Sequence, residues 1–143
     1  MTDRDLESAH LLLPHSGTAR LLTEVVRWDQ DSVEAIGQIP AAHPLAGAGR
    51  VPCFMGLELG AQAAAALEAV SRGAATGDRV PRTGYLVRVH EAIFLKPDLP
   101  VETPLFVAAR LEGAAPPLAI YRISVAVDGI EFLQARLSTY GGT

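Results

Sequence analysis

Two residues fifteen positions apart can carry chemistry in this chain: His43, in the loop His43-Pro44-Leu45-Ala46-Gly47-Ala48-Gly49-Arg50-Val51, and Glu58, on the apolar stretch that follows Pro52. An imidazole of ordinary pKa, ~6.5, is mostly neutral near pH 7 and accepts protons. Pro44 restricts His43 to extended backbone, which helps to hold the ring. Glu58, flanked by Leu57 and Leu59 and close to Phe54, donates a proton if it is protonated beforehand. Burial raises a carboxyl pKa by up to ~3–5 units, whereas a helix N-terminus favours the carboxylate by only ~0.3–1 kcal/mol, so a dry site keeps the proton on. The first amides of a helix lack partners within it and stabilise a developing negative oxygen, with the Cys53 N–H as the leading donor. Gln62, one turn beyond Glu58 on the same face, is placed to orient its carboxyl. Each residue alone has a plainer use: His43 as a turn residue, Glu58 as an exposed helix glutamate, Cys53 as a small buried hydrophobe.

The element that positions Glu58 is residues 53–75, a helix of five or six turns entered at Pro52 and stopped near Gly73 and Gly77. Phe54, Leu57, Ala61, Ala64, Ala65 and Leu67 spread apolar surface around most of it, so it must be wrapped. The run Ala63 to Ala66 lets a sheet approach its backbone closely. Strands are expected at 18–28, 32–39, 84–95, 101–111, 118–127 and 130–139, with hairpin turns at Asp29-Gln30-Asp31 and Asp128-Gly129. Residues 96–100 and 113–117 read as turn or loop. Residues 5–13 read as a short helix ended by Pro14. In 84–95, Leu86, Arg88 and His90 share one face and Val87, Val89 and Glu91 the other, which leaves the inward face open. Two strands, one helix and four strands give an α+β arrangement, an antiparallel sheet of about five to six strands curled around one long helix.

Composition narrows the classes. At 143 residues and 49% hydrophobic, the chain suits a single domain, 1–143, with a real core. A net charge of −4 argues against nucleic-acid binding. No long uncharged apolar run and no basic leader are present, so neither a membrane span nor a secretory signal is expected, and a cytoplasmic location is. The lone Cys53 permits no intrachain disulfide, and His10, His15, His43 and His90 have no metal-ligand spacing.

Three stretches, in order, resemble the 3-hydroxyacyl-[acyl carrier protein] dehydratases of the FabA/FabZ class: Leu12-Leu13-Pro14-His15; His43-Pro44 through Gly47, Gly49 and Pro52 to Glu58 and Ala61-Gln62; and Phe94-Leu95-Lys96-Pro97. The His43–Glu58 spacing and Gly84-Tyr85-Leu86 are most similar to the dehydratases of aryl polyene and polyketide gene clusters. The resemblance implies a hot-dog fold and release of water from a 3-hydroxyacyl thioester to give the trans-2-enoyl product. In that reading His43 is the base, Glu58 the acid, and the Cys53 N–H faces the thioester carbonyl. Cys53 stands where the housekeeping enzymes have glycine, so it is unstrained only at an ordinary φ. The resemblance also implies no metal or organic cofactor of its own and a substrate carried on the phosphopantetheine of acyl carrier protein. It further implies a homodimer, or a heterodimer with another dehydratase, whose shared sites draw histidine and acid from different subunits. Arg50, Arg82 and Arg88, with Lys96, then form a docking patch for the acidic carrier and its phosphate. A hot-dog thioesterase and a catalytically silent partner subunit are the rival readings.

Overall fold

The computed structural model describes residues 20–76 and 84–141. The expected helix at 5–13, the segment around His15, and Arg82 lie outside them. The elements run β1 (Leu22–Trp28), β2 (Ser32–Gly37), β3 (Arg50–Pro52), α1 (Met55–Thr76), β4 (Gly84–Phe94), β5 (Asp98–Pro100), β6 (Leu105–Ala115), β7 (Leu118–Val127) and β8 (Ile130–Gly141). Six strands form one antiparallel sheet in the order β1-β2-β6-β7-β8-β4, and β3 pairs with β5 in a separate ribbon.

Local chemistry accounts for the turns. Asp29 Oδ1 accepts the Asp31 and Ser32 N–H groups, both at 2.8 Å, and closes the β1–β2 connection. Asp128 and Gly129 both take positive φ, 50° and 78°, as a two-residue hairpin between twisted strands requires. Inward residues alternate along β6 to β8: Leu105, Val107 and Ala109; Tyr121, Ile123 and Val125; Leu133, Ala135 and Leu137 are all buried. They wrap α1, whose Leu59, Ala63, Ala64, Ala66 and Leu67 are buried against them.

The approach is close because the helix carries glycine at its contact points. A Cβ at Gly60 would stand 2.6 Å from Ile123 Cδ1, and one at Gly56 2.2 Å from Leu133 Cδ2. Only a residue without a side chain fits there.

Three expectations change, the first at 113–117, expected as turn or loop, where β6 continues through Ala115 and only Pro116-Pro117 turns the chain. The strand expected at 101–111 begins at Leu105, because Glu102 turns the chain at φ 53° and Pro104 has no N–H to give a ladder. Residues 96–100, expected as a turn, contain β5. The face of β4 left open by the sequence stays open in the fold: among the described residues β4 is an edge that pairs with β8, and Leu86, Val87, Val89, Ile93 and Phe94 are exposed on both its faces.

Candidate active site

The loop carrying His43 is folded by its own backbone. Pro40 O accepts the His43 N–H at 3.0 Å, His43 O accepts the Ala46 N–H at 2.9 Å, and Gly47 and Arg50 exchange bonds of 2.9 and 3.1 Å across Ala48-Gly49. Both tip residues have positive φ, 54° and 75°, which Gly49 adopts freely. The segment after β5 fastens this loop to the fold. Val101 N–H donates to Gly49 O at 3.1 Å, Glu102 N–H to Ile39 O at 2.8 Å, and Glu102 Oε1 accepts the Ala41 N–H at 2.7 Å. Glu102 drew no attention in the sequence; its positive φ and its partner 61 residues away appear only in the folded chain.

His43 is half-buried, and its Nδ1 accepts the Leu45 N–H at 3.1 Å. A neutral ring with Nδ1 as acceptor carries its proton on Nε2. The Leu45 bond must therefore open before either nitrogen takes up a proton: Nδ1 is occupied, and Nε2 is free only in the tautomer that places a hydrogen between Nδ1 and Leu45.

At the helix entrance the structure corrects one expectation. The Cys53 N–H donates to Pro97 O at 2.9 Å, extending the β3–β5 ribbon, so it is not aimed at a thioester oxygen. Cys53 has no positive φ and is unstrained, with its side chain buried and Sγ 3.6 Å from Phe132 O. Burial first, then the Asp98 charge, pushes its thiol pKa up. The next amides are used differently: Gly56 and Leu57 N–H donate to Cys53 and Phe54 carbonyls, both at 2.9 Å. Among the described residues, the Phe54 and Met55 N–H groups donate to no backbone carbonyl.

Glu58 lies in the first turn of α1, half-buried rather than enclosed, because Phe54, expected to help cover it, is 51% exposed. Behind it the fully buried Gln62 is fixed by its carbonyl oxygen, which accepts Leu21 N–H at 2.8 Å and Leu22 N–H at 3.1 Å. Those two donors fix the flip of the amide, so Nε2 faces Glu58 and donates to its Oε1 at 3.3 Å. The start of β1 is thus joined to the carboxyl through one side chain.

Glu58, Gln62 and Cys53 share the helix entrance, and the His43 loop leads into it through β3. Arg50 is exposed on β3, opposite Pro100. Arg88 is exposed on edge strand β4, six residues before its end at Phe94, about 20 Å of strand at ~3.3 Å per residue. The arginines therefore stand on separate elements. Among the described residues no group of three His, Cys, Asp or Glu side chains is disposed to hold a metal ion, and no helix is long and apolar enough to cross a membrane.

A family model described as ApeP-like, ApeP dehydratase, matches residues 7–143. No curated protein matches the chain. Among solved structures, the dehydratase heterocomplex ApeI:P from Xenorhabdus doucetiae is similar at a TM-score of 0.82 and 17% identity, covering 94% of this chain and 91% of that one. A mutant of thioesterase PA1618 from Pseudomonas aeruginosa matches at 0.69 and 16% identity, covering 99% and 96% of the two chains. Thioesterase HI1161 from Haemophilus influenzae matches at 0.65 and 15%, covering 95% and 89%. At these identities the structural likeness establishes the fold, a hot dog.

Proposed function

The chain belongs to the ApeP-like dehydratase family, the aryl polyene dehydratase group its sequence resembles, and from that premise we propose that His43 and Glu58 dehydrate a 3-hydroxyacyl thioester carried on acyl carrier protein. His43 takes the proton from the carbon next to the thioester carbonyl. Glu58 protonates the departing hydroxyl, the C–O bond breaks, and water and the trans-2-enoyl thioester result. Proton transfer from imidazolium back to Glu58 restores both groups. The negative charge gathering on the thioester oxygen meets the Phe54 and Met55 N–H groups, which replace Cys53 in that role.

The observation that carries this reading is the Gln62 amide, held by two backbone N–H groups and directed at Glu58. A buried amide so fixed gives one carboxyl a set position, as an acid that must meet a leaving hydroxyl requires. The exposed edge of β4, with Val87 at 56% exposure and Phe94 beside the turn toward the site, supports a second hot-dog subunit pairing there. Such a subunit would also cover the half-exposed Phe54 and Glu58 and supply the dry surroundings the acid needs. The solved ApeI:P structure is itself a heterocomplex, which favours a heteromeric partner. Arg50, Arg88 and Arg82 remain candidates for contacting the carrier and its phosphate.

The test is mass spectrometry of a 3-hydroxyacyl carrier protein incubated with the purified protein, alone and with a partner dehydratase added. Loss of one water with wild type, reduced by about a hundredfold or more in His43→Ala and in Glu58→Gln, is expected. Free acid and free carrier thiol would instead mark a thioesterase. The Leu45–His43 bond favours a second reading, a subunit silent on its own. Its mark is water loss only when a partner dehydratase is added, unaffected by His43→Ala.

A further inference from the structure

We propose that a second ligand site, distinct from the Glu58 site, lies against the later half of α1: a cavity of about 760 Å³ that takes a small apolar molecule carrying a hydroxyl group. Glu68, on its wall, is ten residues after Glu58, about 15 Å along the helix at ~1.5 Å per residue. The volume falls within the roughly 300–1,000 Å³ of small-molecule pockets. Leu67, Leu111 and Leu118 make apolar wall, interrupted by Gln30, Glu68, Ser71, Tyr121 and Tyr140.

Of these, Glu68 and Tyr121, which stand close to one another, set the ligand chemistry. The Ser71 hydroxyl is buried and has no hydrogen-bond partner among the described residues. A mid-helix serine ordinarily donates back to a carbonyl one turn earlier, and buried polar groups are nearly always paired, so this one is a group in want of a partner. That oxygen is itself shielded, so the polar groups that meet the cavity are those of Glu68 and Tyr121. Tyr121 is 4% exposed. Burial first, then the Glu68 charge, pushes its phenol up to about 12, so it stays a hydrogen-bond donor at any working pH. Glu68 is an exposed acceptor leaning on Gly141, where a Cβ would come within 2.6 Å of its Oε1. A ligand hydroxyl donates to Glu68 and accepts from Tyr121. A carboxylate is repelled by Glu68, a hydrocarbon offers neither group a partner, and an ammonium pairs with Glu68 but has no lone pair for the Tyr121 hydroxyl.

Isothermal titration calorimetry of the purified full chain with para-butylphenol, butylbenzene, para-butylbenzoate and butylamine tests this. The phenol is expected to bind about tenfold or more tightly than the other three, since a hydrogen bond to a charged acceptor is worth at least that factor. Glu68→Gln, on the exposed rim, weakens the phenol about tenfold. Ala119→Trp, which fills the cavity from β7, abolishes its binding, and His43→Ala leaves it unchanged, which separates this site from the dehydratase reading. Absence of phenol binding to wild type, equal or tighter binding of the benzoate or the amine, or phenol binding indifferent to Glu68→Gln overturns the proposal.

Discussion

The two ends of α1 differ in how completely their polar groups and volume are used. At the entrance, Cys53 N–H is taken by Pro97, Gln62 is shared between β1 and Glu58, Glu102 clasps the loop before β3, and Gly56 and Gly60 sit against Leu133 and Ile123 with no room for a methyl group. Toward the other end, a cavity of about 760 Å³ remains, and Ser71 keeps a hydroxyl unassigned. The same helix thus joins a region where the donors other than Phe54 and Met55 N–H already hold something in place to one with unfilled space. Fixed geometry serves proton transfer between set atoms, whereas unfilled volume serves binding.

Replacing Gln62 should disturb the entrance most. Gln62→Leu leaves Leu21 and Leu22 N–H unpaired in the core, and a loss of about 2–4 kcal/mol in urea denaturation is expected, with turnover falling as Glu58 loses its partner. A variant as stable as wild type would show that the amide is not a strut.

Matched substitutions at the two ends come next. Gly60→Ala forces a methyl group onto Ile123 and should cost about 1–3 kcal/mol, despite the roughly 1 kcal/mol that alanine gains over glycine in a helix. Ser71→Ala, which removes an unpaired buried hydroxyl, should stay within about 0.5 kcal/mol of wild type or stabilise slightly. Equal thermal shifts for the two would erase the contrast.

Glu102→Ala removes the carboxylate from Ala41 N–H and should cost about 1 kcal/mol. Hydrogen exchange is the sharper readout, with faster exchange at Ala41 and Leu45 and no change at Tyr121. The smallest effect concerns Cys53, whose buried thiol has a raised pKa. The neutral form is favoured by folding, so its contribution is full below the ordinary thiol pKa and is lost as pH rises through the folded value. Alkylation of native protein by iodoacetamide should accordingly stay slow at pH 9 and accelerate on denaturation; rapid native alkylation would mean that the entrance opens.

The central helix, the strands β7 and β8 and both tight hairpins were legible because each rests on local information: period, small residues, and Asp or Gly where a turn needs positive φ. The three-residue strands β3 and β5 were not, since they are too short to carry a period, and Pro52 read as a helix start and Pro100 as turn. The inward face of 84–95 stayed open in the sequence for a physical reason, as β4 exposes apolar side chains on both its faces. His43, Glu58 and Gln62 could be picked out by type and spacing, and Gln62 was correctly set beside Glu58, one turn away.

The sequence by itself determined the chemistry available to this protein, an imidazole and a carboxyl at the mouth of an apolar helix, and a fold in which a sheet must wrap that helix. Tertiary structure decided which donors were still free for that chemistry. The partners of Cys53 N–H, the Gln62 carbonyl and Glu102 lie 40 to 63 residues away along the chain, and no local pattern encodes them. A hydrogen-bonding group can be named from its residue type, but whether it is spent on the fold depends on what the folded chain brings within 3 Å of it.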